Sequence, residues 1–326
     1  MKTKILKLLR ERETHISGQE LCEIFQVSRT AIWKVMNQLK EDGYEIEAIQ
    51  NKGYRLKREP DILTESELKS RFSTKWIGEQ VVCVKEVGST NQELKKLAEE
   101  EALHGTLYIG EQQVAGRGRR GREWESDTGE NITMSLLLRP DFNPDLASRL
   151  TLVMAISVAK ALEEVTGLSC MIKWPNDILI REKKVCGILT EMSAEMGFIH
   201  YVVIGVGINV NHMNIPKHLE EIATSIQKEM GRKCKRTDII VRTMEYFEEA
   251  YETFCQTYDV SEMLDWYNDH LLNKNSMVRV LLPEQEYEAK AIGINEKGEL
   301  QVERDDGMIE NIYAGEVSVR GITGYV

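Results

Sequence analysis

Seven consecutive residues, Gly116-Arg117-Gly118-Arg119-Arg120-Gly121-Arg122, set four guanidiniums on three glycines. Arginine presents rigid forks of N–H donors that match phosphate oxygens, and glycine lets a backbone approach an anion closely. The segment points to phosphate chemistry, although a solvated basic loop or a nucleic-acid patch would have the same composition. It also matches G-x-G-x-x-G, but the context excludes a dinucleotide fold. Arg122 to Gly129 runs into the apolar stretch Ile132 to Leu138, which reads strand, loop, strand rather than strand, loop, helix. A kinase glycine-rich loop has that context, yet the chain contains neither H-R-D nor D-F-G. No G-x-x-x-x-G-K-[ST] occurs either, so the P-loop class is excluded.

Other segments supply groups that could meet this loop. Alternation from Val81 to Val87 predicts a strand, and Gly88-Ser89-Thr90-Asn91 then leads into a helix over Gln92 to Ala102. Thr90 with Glu93, or Ser89 with Gln92, has capping-box spacing, so these hydroxyls are expected to cap that helix. The same groups at a helix N-terminus also suit a polar, uncharged ligand such as a urea or amide ring. The strand from Leu107 to Gln113 delivers the arginine loop. Beyond a helix predicted from Leu146 to Thr166, Lys173-Trp174-Pro175-Asn176-Asp177 ends a strand in a turn that displays Lys, Asn and Asp. A hairpin follows, Ile178 to Ile180 and Lys184 to Leu189 across the turn Arg181-Glu182-Lys183. Lys184, at the head of the second strand, is placed to point back toward the arginine loop. Val202 to Asn211 is an apolar strand with small residues and two amides, suited to close approach of a flat ring.

The 326 residues carry a net charge of −11, which argues against a protein that coats nucleic acid over its whole surface. Residues 1–58 alone hold 12 Lys/Arg against 8 Asp/Glu, a basic head on an acidic body. In that head Ile5, Leu8, Leu9 and Arg12 have helical spacing. Ser17-x-x-Glu20 opens a second helix ahead of Leu21, Ile24 and Phe25, and Ser28 caps a third that buries Ile32, Val35, Met36 and Leu39. The outer face of the third helix carries Ser28, Arg29, Thr30, Trp33, Lys34 and Asn37. A hairpin with Lys52 and Arg55 follows as a wing. Two short helices joined by a tight turn fit a recognition helix in a major groove, with protein contact as the alternative use. A hinge is expected at Lys57-Arg58-Glu59-Pro60, with a short linking helix from Thr64-x-x-Glu67. Domains are accordingly expected at 1–60, 61–270 and 271–326. The last should be a small β-barrel of strands from Met277 to Leu282, Tyr287 to Ile294, Glu299 to Val302 and Val317 to Arg320.

Six scattered cysteines without any C-x-x-C suit reduced core thiols, hence a cytoplasmic protein. No signal peptide is recognised, and no apolar run is long enough to span a bilayer, so a membrane role is not expected.

Taken together, Gly88 to Asn91, Gln113, Gly116 to Arg122 with Trp124, Lys173 to Asp177, Lys184 ahead of Gly187-Ile188-Leu189, and Gly205 to Asn211 closely resemble the biotin protein ligases. With the basic winged head, the chain resembles the bifunctional bacterial members that also repress the biotin operon. The resemblance implies an α+β protein with a winged helix-turn-helix, a mixed α/β catalytic domain and an SH3-like C-terminal domain. It implies activation of biotin with ATP and Mg2+ to biotinyl-5′-AMP, which is both intermediate and corepressor, and transfer of biotin to a lysine of the biotin carboxyl carrier protein. By the same resemblance Ser89, Thr90, Asn91, Gln113, Arg117, Gly118, Arg119 and Lys184 hold biotin, with Lys184 and Arg119 catalytic. Arg117, Arg119, Arg120, Arg122, Trp124, Lys173, Asn176 and Asn209 would hold ATP or adenylate, and Asp177 the magnesium ion. Operator DNA and a homodimer formed when adenylate binds are the further partners implied. A noncatalytic ligand-sensing regulator and a lipoate ligase are the competing readings. The complete arginine loop with Lys184 disfavours the first, and the Lys-Trp-Pro-Asn-Asp block and the head disfavour the second.

Overall fold

The computed structural model describes residues 1–326 except 125–127, 282–285, 314–317 and 322–326. The chain forms two compact units, Met1–Ser73 and Thr74–Val326.

In the first unit, helices α1 (Lys2–Glu11), α2 (Gly18–Phe25) and α3 (Arg29–Glu41) precede an antiparallel hairpin of β1 (Glu45–Ile49) and β2 (Gly53–Arg58), and α4 (Glu65–Lys69) follows. Side-chain oxygens of Ser17, Ser28 and Thr64 accept the N–H of Glu20, Ala31 and Glu67, so α2, α3 and α4 start where the cap residues stand. Gln26 turns left-handed at φ 52° and sends the chain from α2 into α3. Ile32, Val35, Met36 and Leu39 are buried against Ile5, Leu6 and Leu21. Ile24 is exposed, because Leu21 and Phe25 carry the inward face of this two-turn helix.

The unit continues past Pro60 for an electrostatic reason. Glu67 is fully buried and hydrogen-bonds Arg10, Arg71 and the Tyr44 hydroxyl, while Glu59 binds both arginines. A buried carboxylate persists only with such partners, and here they fasten α4 to α1 and to the start of the hairpin. Burial, reinforced by the Glu67 carboxylate, pushes the Tyr44 phenol far above its ordinary pKa.

The second unit is built on a seven-stranded sheet. Its strands are β3 (Val81–Val87), β4 (Leu107–Gln113), β7 (Ile132–Leu138), β8 (Met171–Lys173), β9 (Asp177–Ile180), β10 (Lys183–Glu195) and β11 (Phe198–Ile208), in the spatial order β3-β4-β7-β11-β10-β9-β8. Only β3 and β4 pair in parallel among these neighbours. The two-residue strands β5 (Gly116–Arg117) and β6 (Glu123–Trp124) form a separate ribbon between β4 and β7. Helix α5 (Thr90–Glu99) packs on β4, β7 and β11, and α6 (Arg149–Thr166) packs on β8 to β11. The β9–β10 connection is tighter than the expected three-residue turn, because Arg181 and Glu182 adopt φ 48° and 64° while Lys183 already pairs with Ile180. Two positive φ values are what a two-residue hairpin turn requires.

Beyond α7 (Ile226–Met230) comes α8 (Arg236–Thr257), a 22-residue helix that packs on α6. Its buried Arg236 pairs with Glu111 at 2.6 Å, and its Glu248 accepts the N–H groups of Lys75, Trp76 and Ile77 at 2.6, 2.9 and 3.0 Å. After α9 (Leu264–Asp269), strands β12 (Met277–Leu281), β13 (Glu286–Ile294), β14 (Leu300–Glu303), β15 (Ile309–Ile312) and β16 (Ser318–Gly321) form an antiparallel sheet in the order β15-β14-β13-β12-β16. The strand β15 was not foreseen, and Leu282 and Val317 lie outside the described residues. This sheet belongs to the same compact unit as the larger one. Its β13–β14 turn reaches the larger sheet directly, where the Gly298 carbonyl accepts the Trp174 indole N–H at 3.1 Å.

None of the six cysteines forms a disulfide, and burial pushes the Cys170 thiol up to about 12, which makes it inert at neutral pH. No helix among the described residues is long and apolar enough to cross a membrane.

Replacing Glu67 with Ala should leave two part-buried arginines with Glu59 as their shared carboxylate and cost about 3 kcal/mol. Amide hydrogen exchange over α1–α3 should accelerate in that variant relative to the second unit; unchanged protection would remove Glu67 from the stability of the head.

Candidate active site

Four segments converge on one cavity of about 520 Å³, a size that suits a nucleotide or vitamin-sized ligand. They are the β3–α5 junction, the ribbon after β4, the β8–β9 turn with the start of β10, and the glycine-bearing end of β11.

At the β3–α5 junction the expected capping box does not form. Ser89 occupies the N-cap position with extended backbone, but its hydroxyl makes no cap hydrogen bond. Instead the Thr90 N–H and hydroxyl both donate to Gln113 Oε1, at 2.8 and 3.0 Å. Ser135 Oγ stands 2.7 Å from Thr90 Oγ1 and 2.6 Å from Asn91 Oδ1. Tertiary partners on β4 and β7 have outcompeted the local cap, and Ser89, Thr90 and Asn91 all line the cavity while buried.

Across the cavity the arginine segment folds as a ribbon with a 3₁₀ turn at its tip. Gly116 pairs with Trp124 and Arg117 with Glu123, and Arg120 takes the left-handed φ of 57°. Arg117, Gly118, Arg119, Arg120 and Arg122 line the cavity. Arg119 donates to Asn176 Oδ1 at 2.9 Å. Burial lowers the Arg119 pKa and the nearby Asp177 carboxylate opposes that shift. Asn176 is fixed in turn by donating to the Ile188 carbonyl at 3.1 Å. Lys184 Nζ lies 2.7 Å from Asp177 Oδ1 and 5.8 Å from the centre of the Trp124 ring. Lys184 therefore points to the arginine ribbon, as its place at the strand head suggested.

The floor is glycine by necessity. A Cβ on Gly207 would sit 2.4 Å from Trp124 Cε2, and one on Gly205 would sit 2.3 Å from Asn91 Oδ1. Real Cβ atoms do not approach so closely, so β11 can carry these two side chains only because it has hydrogens there. Six cations line the cavity, Lys173 and Lys184 with four arginines, against Asp177 as the lone carboxylate among its described lining residues. Such a lining favours an anion with several phosphate oxygens.

Of the residues singled out in sequence, Asn209 alone of the ligand set stands off the described cavity wall; its amide donates to the Thr224 carbonyl at 3.1 Å. Met134, Ile188, Leu189, Val206 and Ile222 contribute apolar wall that no polar motif marks. Ile222 comes from a loop that joins Lys184 through paired backbone bonds, Lys184 N–H to Ile222 and Thr224 N–H to Lys184, both 2.9 Å.

In the head unit, Ser28, Arg29, Thr30, Trp33 and Lys34 are exposed along the first turns of α3, with Asn37 half-buried beyond them. Trp33 is 57% exposed, costly for an indole with nothing to cover it. Lys52 is exposed at the wing tip, and Arg55 lies half-buried on β2 near Glu47.

Residues 83–209 match the biotin/lipoate A/B protein ligase family, residues 2–55 a helix-turn-helix domain, and residues 275–320 the biotin protein ligase C-terminal domain. The chain is 38% identical over 306 residues to the bifunctional ligase/repressor BirA of Bacillus subtilis, covering 93% of this chain and 94% of that one. It belongs to the biotin/lipoate A/B protein ligase family. The BirA of Escherichia coli is 30% identical over 97% of this chain and 96% of its own. The structure of the biotin protein ligase from Aquifex aeolicus in complex with biotin and ATP superimposes with a TM-score of 0.66 at 32% identity, covering 74% of this chain and 99% of that one. The helix-turn-helix match lies wholly in the head unit, and both ligase matches lie in the second unit.

Gly207→Ala should expel the Trp124 indole from the cavity wall and shift tryptophan emission to the red without unfolding the protein. Unchanged emission would mean that Trp124 does not pack on that glycine.

Proposed function

We propose that this protein is an ATP-dependent biotin ligase that also binds operator DNA as a biotin-responsive repressor. The observation that carries the reading is the placement of Lys184 and Arg119 together, both against the Asn176–Asp177 turn, in one cavity that also takes in the polar groups of Ser89, Thr90, Asn91 and Gln113. In the first step a biotin carboxylate oxygen forms a bond to the α-phosphorus of ATP as the bond to the departing pyrophosphate breaks. Carboxylate and triphosphate repel, and fixed cations at the point of attack offset that repulsion without reorganisation. Lys184 takes the place beside carboxylate and α-phosphate, and Arg117, Arg119, Arg120 and Arg122 face the phosphates. Trp124, Lys173 and Asn176 complete the adenylate wall, while Asn209 supports it from behind through Thr224. In the second step a carrier lysine amine attacks the acyl carbon, loses a proton, and AMP leaves.

Magnesium supplies charge neutralisation on the triphosphate when bound. Asp177, the carboxylate among the described lining residues, would be the side chain to hold the ion, an oxygen donor of the kind magnesium takes. The mixed anhydride hydrolyses easily in water, and the arginine ribbon closing over it would exclude solvent.

The partners that follow are the carrier domain of a biotin-dependent carboxylase and operator DNA. Ser28, Arg29, Thr30, Trp33, Lys34 and Asn37 on α3 face the major groove, and Lys52 and Arg55 on the wing face the backbone. A homodimer assembled on adenylate binding would place two heads on two half-sites. Six cysteines without a disulfide suit work in the reducing cytoplasm.

Lys184→Ala should slow biotinyl-adenylate formation at least about a hundredfold in single turnover, with the melting temperature unchanged. A near-normal rate would remove Lys184 from the mechanism. Arg119→Gly should release adenylate into solution faster than wild type; equal retention would contradict a closing role. Operator affinity should fall steeply with added salt, and weakening by Lys34→Ala should also flatten that slope.

A further inference from the structure

Asn91 lines the polar side of the cavity, and its amide is held by partners on β10. Its Nδ2 donates to Glu191 Oε2 at 2.7 Å and to the Leu189 carbonyl at 3.3 Å. Both partners can only accept, which fixes Nδ2 outward and leaves Oδ1 as the end near Ser135 Oγ and over Gly205. Ser135, Thr90 and Gln113 continue the chain of hydrogen bonds, and Gln113 Oε1 is pinned by the Thr90 N–H. Glu191 does not line the cavity. It sits on β10 against α5, where Lys95, one helical turn beyond Asn91, pairs with its other carboxylate oxygen. That cation offsets the cost of a carboxylate only partly exposed to water.

We propose that Glu191 is a positioning residue for substrate selection: its negative charge sets the polarity of Asn91, so that a carbonyl oxygen rather than an amide N–H faces the bound acid. An acceptor there favours a ligand whose ring carries N–H donors, a cyclic urea, over an acid whose ring carries none. A neutral side chain at the same place weakens this control. Glutamine offers both donor and acceptor, so only the longer bond to the Leu189 carbonyl, at 3.3 Å, is left to hold Asn91 in one orientation.

This inference rests on the biotin ligase reading and deepens it. The test is ATP–pyrophosphate exchange by the full chain with biotin varied, for wild type, Glu191→Gln, Asn91→Ala and the double variant, alongside melting temperatures. Glu191→Gln should raise the KM for biotin about tenfold, the worth of one hydrogen bond to a charged group, with kcat and the KM for ATP within about twofold. Because Glu191 acts through Asn91, the double variant should be no worse than Asn91→Ala alone. An unchanged KM for biotin in Glu191→Gln would overturn the proposal, as would losses that add in the double variant. So would a fall in kcat, ATP affinity and melting temperature together, which marks a structural role. Absence of biotin-dependent exchange in wild type would instead overturn the ligase reading itself.

Discussion

Like charges held together in a partly buried cavity are the constraint on which the rest of the second unit depends. Lys184 and the arginine ribbon must stay cationic, close and aimed at one volume before any ligand arrives. The structure meets this with one carboxylate and several amides. Asp177 sits against Lys184, Asn176 accepts from Arg119, and Asn176 is itself tied to the strand carrying Lys184 through the Ile188 carbonyl. An arriving triphosphate therefore meets cations already held in place, and little has to be rebuilt.

The scaffold around this pair is arranged for stiffness. Asp177 and Lys184 lie on neighbouring strands joined by a two-residue turn, so their spacing is set by hairpin register and not by a loop. Behind them Trp174 is fully buried and donates to Gly298 in the C-terminal sheet, which ties that sheet to the Trp-Pro-Asn-Asp segment. On the floor of the cavity, glycines at 205 and 207 admit the Asn91 amide and the Trp124 ring to the sheet surface. The result is a cavity with one strongly cationic side and one neutral, hydrogen-bonding side. That division matches a reaction joining a phosphate to an acid with a polar, uncharged ring.

The chemical groups were largely legible in sequence because charge, glycine and amide types were unusual at their spacing. Gly116 to Arg122, Lys173 to Asp177 and Lys184 do converge on one cavity. The helix starts at Ser17, Ser28 and Thr64 were readable because each rests on a bond three residues away. Ser89 and Thr90 have equally good cap spacing, yet Gln113 and Ser135, distant in sequence, claim the Thr90 hydroxyl. Helix α8 went unread because it has buried polar residues, Arg236 and Glu248, whose partners are known only once the chain has folded. The same holds for Glu191, an ordinary strand glutamate until Asn91 is found beside it. Past Pro60, the head continues to Ser73 because of a buried glutamate, and composition gave no sign of that.

The cationic wall and the amide pocket act together on one particular acid. ATP–pyrophosphate exchange by the purified full chain, with biotin, with lipoate and with no added acid, tests it most directly. Exchange should depend on biotin and not on lipoate. Exchange with lipoate instead would place the chain's chemistry in the other branch of its family, and folded protein that exchanges with neither acid in the presence of magnesium would contradict catalysis and leave a ligand-sensing regulator.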